Sequence, residues 1–404
     1  MDSGMFIMAR EGKARLLIPN PDLYKRRDGV YEPSWAPVFY NPRMKFNRDL
    51  SVTALSAYHR LYSPKPSVRG VDLLSGTGVR AIRYALESSG VEKFYANDKN
   101  PRAYRIIADN IRLNNLGDRV TPLNYEANYA ALYIKDELEE PILYIDIDPY
   151  GSPIPFIDNA LRLVGHRGVI GFTATDIAPL VGSRVKAGLR RYGSVTGKTP
   201  FSRELAVRIL LGVIARYAGV HEKSVRPLLV FYHEYYIRGF VLVERGAGKA
   251  DRSMNMLGCI GYSKPTGYTA YTDDITCSSP LTDPYTGSRL TMLGPLWKGE
   301  LGEKEFIEAS LLIEEESVHH ETRREVSRLL SRLAVEYEID NRPPYRLDHC
   351  ARLMGGVMPR PSKVVESLRG KGYKAVVSYL DPQSIRTDAP IREIYDSCLE
   401  SIRK

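Results

Sequence analysis

Asp148 closes an apolar run, Tyr144-Ile145-Asp146-Ile147-Asp148-Pro149-Tyr150-Gly151-Ser152-Pro153, in which a carboxylate, a proline and an aromatic ring follow one another. Leu143, Ile145 and Ile147 suit a buried parallel strand, and Pro149 with Gly151 stops the ladder where Asp148 and Tyr150 are presented. A carboxylate so placed can accept hydrogen bonds or a proton, and the ring can stack on a flat ligand. Open α/β sheets bind ligands at strand ends of this kind. Asp146, two residues earlier on the same face, reads as a structural partner or second-choice acid.

Two further stretches supply a nucleoside site. Gly70 to Ile82 (G-V-D-L-L-S-G-T-G-V-R-A-I) is a strand, a glycine turn and the start of a helix. Gly76 and Gly78 let the backbone approach a ligand beyond Asp72, and the helix N-terminus offers unpaired N–H groups. One strand later Asp98 stands at a second strand end, with Asn100 as N-cap and Pro101 at N1 of a helix reaching Asn114. An acid there can bind both ribose hydroxyls.

These residues need a sheet to hold them. Val120 to Asn128 reads as a third strand and loop, which in this topology lies beside an adenine ring. The Asp148 strand is then the fourth, Gly168 to Asp176 the fifth, and Pro227 to Tyr232 with Arg238 to Arg245 a closing antiparallel pair. Ahead of the sheet, residues 1 to 35 read as a hairpin and arm, and residues 50 to 62 have helical spacing. In the segment between, Phe39, Tyr40 and Phe46 either pack on the sheet or supply a ring that stacks on a base while Arg48 meets an anion; both readings stay open. Residues 180 to 222 hold a basic loop (Arg184, Lys186, Arg190, Arg191, Lys198) and an amphipathic helix, Leu205 to Tyr217.

With 404 residues, 43% of them hydrophobic, the chain suggests two or three domains. It has no run of eighteen apolar residues and no signal-peptide core near Met1, so no membrane span and a cytoplasmic location are expected. A net charge of +9 favours a polyanion such as nucleic acid as partner. Gln383 is the only glutamine, as in proteins that avoid heat-labile amides and rely on ion pairs. Cys259, Cys277, Cys350 and Cys398 contain no C-x-x-C pair; buried thiols are expected, with a Cys259–Cys277 bridge open if the two face each other. Residues 246 to 252 read as a linker and 255 to 300 as short strands and turns. Residues 303 to 338 read as helices broken near Ser317 to His320. His319 and His320 would diverge on a helix, so surface positions are expected rather than a metal site. The pieces Leu347 to Met354, Pro361 to Arg369, Tyr373 to Tyr379 and Ser384 to Thr387 follow a winged-helix-like order, with a last helix after Pro390.

Glycine turn, acid one strand later and D-P-Y at the fourth strand together resemble the class I, S-adenosylmethionine-dependent methyltransferases that act on exocyclic base amines. Such an amine has its lone pair delocalised into the ring, so its N–H groups need acceptors as it attacks the methyl in line. Asp148 and the Pro149 carbonyl can accept them, and Tyr150 offers a face for an unstacked base. The match is closer still: V-F-Y-N-P-R-M-K-F-N-R-D, D-L-L-S-G-T-G-V-R, D-I-D-P-Y-G-S-P, G-P-L-W-K-G-E-L and T-D-A-P resemble the tRNA guanosine-26 N2-dimethyltransferase family over nearly the whole chain.

The resemblance implies that Arg48 and Arg69 help hold S-adenosylmethionine with Asp72, Gly76 and Gly78. It gives Asp98 the ribose, Glu126 with Ala127 the adenine, and Asp148 the role of catalytic acid. Phe39 and Tyr150 would stack on the target guanine. The implied fold is α/β: a Rossmann-like class I methyltransferase domain with its N-terminal arm over residues 1–250, and a C-terminal α+β domain over 251–404. The latter comprises a small strand-rich hairpin region, helices and a winged-helix-like element, and would grip tRNA. The family often has aspartate at the Glu126 position and phenylalanine at the Tyr150 position. Relatives can carry a zinc ribbon before G-P-L-W, where Ser263, Thr266 and Ser279 stand here with only Cys277 nearby. No metal is therefore expected, and no obligatory protein partner is evident. Two rivals are an adenine-N6 methyltransferase on DNA or rRNA and a non-enzymatic winged-helix binder of nucleic acid; intact Gly76, Asp98 and Asp148 argue against the second.

Overall fold

The computed structural model describes residues 4–65, 67–339, 341–353 and 356–403. In chain order the first half holds β1 (Phe6–Glu11), β2 (Ala14–Pro19), α1 (Lys45–Leu61), β3 (Val68–Asp72), α2 (Val79–Glu87), β4 (Val91–Asn97), α3 (Pro101–Leu113), β5 (Val120–Leu123), α4 (Ala127–Asp136), β6 (Ile142–Ile147), α5 (Ile154–Leu163) and β7 (Val164–Ala174). There follow α6 (Ile177–Leu180), α7 (Val185–Tyr192), α8 (Ser202–Val220), β8 (Lys223–His233), β9 (Tyr236–Arg245), α9 (Ala247–Met254), β10 (Leu257–Tyr262), β11 (Thr269–Thr272), β12 (Thr291–Trp297), α10 (Lys304–Glu316) and α11 (Arg323–Glu336). The chain ends with β13 (Tyr345–Arg346), α12 (Asp348–Leu353), α13 (Pro361–Gly370), β14 (Ala375–Val377), β15 (Ser384–Thr387) and α14 (Ile391–Arg403).

Packing divides the chain into two units: Met1–Ala174, Arg238–Arg245 and Glu308–Leu330 form one, and Thr175–Ile237, Gly246–Ile307 and Ser331–Lys404 the other. The division is therefore interleaved, not a single cut near residue 250. The segment read as a linker is the start of α9, which packs on α8 and β8 and buries Ala250.

In the first unit the sheet runs β5-β4-β3-β6-β7-β9. Its β3, β4, β5, β6 and β7 are parallel, as the alternation of strand and helix in the sequence requires. All six residues of β6 are buried, because helices cover both faces. Strand order reverses between β3 and β6, whose Asp72 and Asp146 stand in register. That reversal is the switch point at which such sheets open a ligand crevice beyond the carboxyl ends of the strands.

In the second unit α8 is buried on nearly all sides, from Glu204 through Ala215, against β8 and β12. It is not the amphipathic helix expected. Its charges are answered inside: Arg208 donates to Glu204 and to the Trp297 and Gly299 carbonyls, and Arg386 bridges Glu204 and Glu336. The expected basic loop is partly helical, since α7 carries Lys186, Arg190 and Arg191 on exposed positions. Strands β11-β10-β12 form one small sheet and β13-β15-β14 another, the latter built with α12, α13 and α14 around Leu347, Val364, Leu368, Ile385 and Cys398. Cys259 on β10 is bridged to Cys277, with Cα atoms 5.5 Å apart, whereas Cys350 and Cys398 are buried thiols.

His319 and His320 lie in the turn between α10 and α11 and not on a helix, and His320 is buried. The expectation of surface positions thus fails for His320, because a turn does not spread neighbouring side chains 100° apart as a helix does.

The bridge closes a chain separation of 18 residues in a hairpin of short strands. Cys277→Ser is expected to lower stability by roughly 3 kcal/mol, the loop-closure value for a loop of this size. A thermal midpoint unchanged by the substitution would show that packing alone sets the hairpin's stability.

Candidate active site

The glycine turn is built as its residues demand. Gly76 and Gly78 take φ of +55° and +78°, and a Cβ on Gly76 would stand 2.6 Å from the Phe39 carbonyl oxygen. The Phe39 segment therefore rests directly on the turn, which only glycine permits. Asp98 locks the turn from the neighbouring strand: its Oδ2 accepts the Gly76 N–H at 2.9 Å and its Oδ1 the Asn100 N–H at 2.9 Å. Each oxygen keeps a lone pair for a further donor. Burial raises the Asp98 carboxyl above its ordinary pKa despite these two bonds. Asn97, just before it, ties three strand ends together by donating to the Leu73 and Tyr125 carbonyls and accepting the Tyr125 N–H, each at 3.0 Å.

Glu126 caps α4, its Oε2 accepting the Asn128 and Tyr129 N–H groups at 2.8 and 3.2 Å. The N–H of Ala127, first residue of that helix, takes no part in the cap and is a donor at the end of β5.

Asp148 is held by a residue that the sequence did not single out. Arg80, in the first turn of α2, donates through Nε to Asp148 Oδ2 at 2.9 Å and again through Nη2. Its remaining bonds go to Ser51 Oγ at 3.1 Å and Asn47 Oδ1 at 2.8 Å on α1. Burial works against the Arg80 charge, but Asp148 and Asp146 overcome it and hold the guanidinium protonated. Both bonds fall on Oδ2, leaving Oδ1 as the acceptor that Asp148 can turn to a ligand. A cation in the first turn opposes the helix dipole, and that misfit was the available signal for Arg80.

Asp146 is the structural acid. Arg238 grips it in bidentate fashion, Nη1 to Oδ1 at 2.9 Å and Nη2 to Oδ2 at 2.7 Å, and the Tyr84 hydroxyl also donates to it. Burial raises its pKa, yet Arg238 and Arg80 outweigh that and keep it ionised. Asp72 lacks such a partner. Burial, with the charge of Asp146 beside it, pushes its carboxyl up to about 7.

Three fully buried polar atoms near this turn have no hydrogen-bond partner: Asp72 Oδ2, Thr77 Oγ1 and Asn47 Nδ2. They offer a carboxylate acceptor for an ammonium group and two donors for a carboxylate, the pair of groups an amino acid carries. With Asp98 for a ribose and Ala127 for a ring nitrogen, they fit an amino-acid nucleoside.

The Phe39 and Tyr150 rings are both exposed, Tyr150 to 80%, with centroids 6.1 Å apart and planes tilted by 59°. They stand together at the crevice mouth but are not preset as a parallel clamp. Arg48 is turned elsewhere: buried, it grips Glu11 through Nε and Nη2 at 2.6 and 2.7 Å and donates to the Asn41 carbonyl. Arg69 pairs with Glu92 and Glu140. It lies about 10 Å back along β3 from Asp72, at the strand's other end. The structure thus gathers Asp72, Gly76, Gly78, Asp98, Glu126, Ala127, Asp148, Pro149, Tyr150 and Phe39 around one crevice and leaves the Arg48 and Arg69 side chains outside it.

Glycine turn, an acid at the next strand end and a fourth-strand carboxylate at the switch point define a Rossmann-like, class I methyltransferase domain. The family model described as N2,N2-dimethylguanosine tRNA methyltransferase matches residues 12–398. The chain belongs to that family. A protein of Aeropyrum pernix named tRNA (guanine(26)-N(2))-dimethyltransferase is 40% identical over 97% of this chain and 96% of its own. Its namesake in Metallosphaera sedula is 38% identical over 96% and 94%. Among solved structures, Trm1 from Pyrococcus horikoshii in complex with S-adenosyl-L-methionine superposes with a TM-score of 0.82, at 30% identity, covering 97% of this chain and 99% of that one.

The raised Asp72 carboxyl sets a pH dependence. With a folded pKa of about 7 against an ordinary value of 3.8, the native state holds this proton more tightly than the unfolded chain. Its stabilising contribution is therefore complete below pH 3.8 and lost as pH climbs to 7. In ligand-free protein Asp72→Asn is expected to raise the thermal midpoint relative to the parent at pH 8 but much less at pH 5. Equal differences at both would show that Asp72 is ionised throughout.

Proposed function

We propose that this protein transfers one or two methyl groups from S-adenosylmethionine to the exocyclic N2 of a guanosine in tRNA, at position 26 as in the relatives' names. The observation that carries this reading is the state of Asp148: one oxygen fixed by a buried guanidinium, the other left for a ligand, at a strand end flanked by a proline carbonyl and an exposed ring.

The residues divide the work by position. Asp72 takes the methionine ammonium and Thr77 and Asn47 the carboxylate. Asp98 takes the ribose hydroxyls, and the Ala127 N–H with the Glu126 segment takes the adenine. When bound, the cofactor supplies an electrophilic methyl on a sulfonium. Tyr150 stacks on the flipped guanine, and Phe39 turns from its tilted orientation to meet the base's other side or edge. Asp148 Oδ1 and the Pro149 carbonyl accept the two N2–H bonds, which aims the nitrogen lone pair and draws electron density toward it. As the N–C bond forms and the methyl–sulfur bond breaks, its electron pair staying on the now neutral sulfur, the nitrogen would gain positive charge and pass a proton to Asp148. Arg80 keeps that carboxylate charged and stationary, so little reorganisation accompanies the step.

Residues 251–404, with the exposed cations of α7, are read as the tRNA-gripping surface, since phosphate contacts dominate affinity for nucleic acid. Among the described residues no helix is long and apolar enough to cross a membrane. A tRNA substrate supports reading the protein as cytoplasmic.

Incubation with an unmodified tRNA transcript and labelled cofactor should yield N2-methylguanosine and N2,N2-dimethylguanosine at position 26, read by nucleoside analysis and mapping. N6-methyladenosine would overturn the assignment of the amine. Asp148→Asn should lower kcat by roughly 10²- to 10³-fold, the usual effect of removing one preorganised electrostatic contact. Its cofactor affinity should stay within about twofold of the parent, since Asp148 faces the base.

A further inference from the structure

Away from the crevice, the far end of α2 presents a second cluster. Glu87, its last residue, meets His319 and His320 of the turn between α10 and α11. His320 Nε2 lies 3.3 Å and His319 Nε2 3.5 Å from the same oxygen, Glu87 Oε2. The three ligand atoms all lie within 4.8 Å of one another. Neither Nε2 makes a hydrogen bond, although both are buried.

The surroundings fix these groups. His320 Nδ1 faces the Glu314 carboxylate at 3.0 Å, and Glu314 is itself bonded by Thr53. An Nδ1–H donated there directs Nε2 at Glu87, the orientation of metal-bound histidines; in metal-free protein the two carboxylates favour a proton on that nitrogen, which a metal ion would displace. Glu87 Oε1 accepts the Lys13 N–H and Arg83 Nε, each at 3.0 Å, and Oε2 accepts Arg83 Nη2 at 2.8 Å, so the remaining lone pair of Oε2 is the one turned to the two imidazoles. Gly12 makes room for this carboxylate; a Cβ there would stand 2.4 Å from Oε1. The His320 side chain is wholly buried, and that of His319 is 21% exposed, which leaves a side open to water.

Two imidazole nitrogens turned on one carboxylate oxygen call for a cation among them, a proton on His320 in metal-free protein or a metal ion. Ligands bound to zinc at about 2.0–2.1 Å in a tetrahedron are about 3.3–3.4 Å apart, the spacing that two of these edges have. Charge points the same way. The buried network here contains four carboxylates, Glu11, Asp49, Glu87 and Glu314, against two guanidiniums, Arg48 and Arg83. With neutral imidazoles it carries a surplus of two negative charges. A proton on one imidazole answers one of them; a divalent ion answers both and gives each Nε2 a partner.

We propose that Glu87, His319 and His320 form a binding site for a divalent transition-metal ion of the zinc class, which ties the turn after α10 to the C-terminal end of α2. The site is independent of the cysteines and of the methyl-transfer crevice, and its fourth position belongs to water on the His319 side.

The test uses tag-free, full-length protein stripped with chelator and titrated with Co²⁺ by absorbance and with Zn²⁺ by calorimetry. One equivalent should bind, with the intense visible bands of four-coordinate cobalt, and Zn²⁺ should raise the thermal midpoint. His319→Ala removes a ligand that has no other bond in the network, so the fold should survive while affinity falls at least tenfold. His319→Cys should restore binding and add a sulfur-to-cobalt charge-transfer band. No binding by the parent, or equal binding by parent and His319→Ala, would overturn the proposal and leave a proton on His320 as the cation in the gap.

Discussion

Three carboxylates, Asp72, Asp146 and Asp148, meet where β3 and β6 end side by side, and the rest of the first unit is arranged to keep them there. Like charges this close and this buried repel strongly, since low polarisability around them leaves little screening. Arg238 neutralises Asp146 from β9, and Arg80 neutralises Asp148 from α2. Asp72 is left over, and its raised pKa is the residue of that imbalance. Removing Arg238 would leave Asp146 an uncompensated buried acid, which typically costs about 3–5 kcal/mol.

Arg80 can act from α2 only because that helix is fixed at several points. Three residues on, Arg83 donates to Glu11 of the hairpin, Asp49 of α1 and Glu87. Glu11 in turn holds Arg48, whose guanidinium also meets the Asn41 carbonyl in the segment that carries Phe39. The N-terminal hairpin is thus part of the scaffold behind the crevice. Arg48 has a role in the site without entering it: it positions the backbone that rests on the glycine turn. Its cation–π contact with Tyr40 and the Tyr40–Glu11 bond close the same network.

What could be read from the sequence was what local chemistry dictates. The glycine turn, the acid at the next strand end and the proline-stopped fourth strand are each short-range signals, and their order implied a parallel sheet with its crevice at the reversal. Partners brought from afar could not be read that way. Arg238 lies 92 residues from Asp146, and nothing near either names the other. Arg48 looked like an anion ligand because its partner, Glu11, sits in what read only as an arm. Leu205 to Tyr217 was read as amphipathic, yet Arg208 is paired inside with Glu204, so charge did not mark a wet face. The glycines at 246 and 248 suggested a linker where they open a helix. His319 and His320 were judged by helical geometry, whereas they stand in a turn that buries His320.

The charge balance of the crevice also bears on turnover. With Asp72 ionised, its three carboxylates and two guanidiniums leave one negative charge, and Asp72 carries it with no guanidinium bonded to it and its Oδ2 unpartnered. Such a site prefers a cationic occupant, because a positive group both stabilises the Asp72 charge and removes the burial penalty that otherwise keeps the acid protonated. An ammonium supplies this permanently, whereas a sulfonium supplies it only until its methyl has left. The occupant after transfer carries one positive charge fewer and meets the same fixed carboxylates, so the attraction that favoured binding is weaker for the product. On the proposed placement of the donor, these acids would therefore favour the charged donor over the spent one without any movement of the fold.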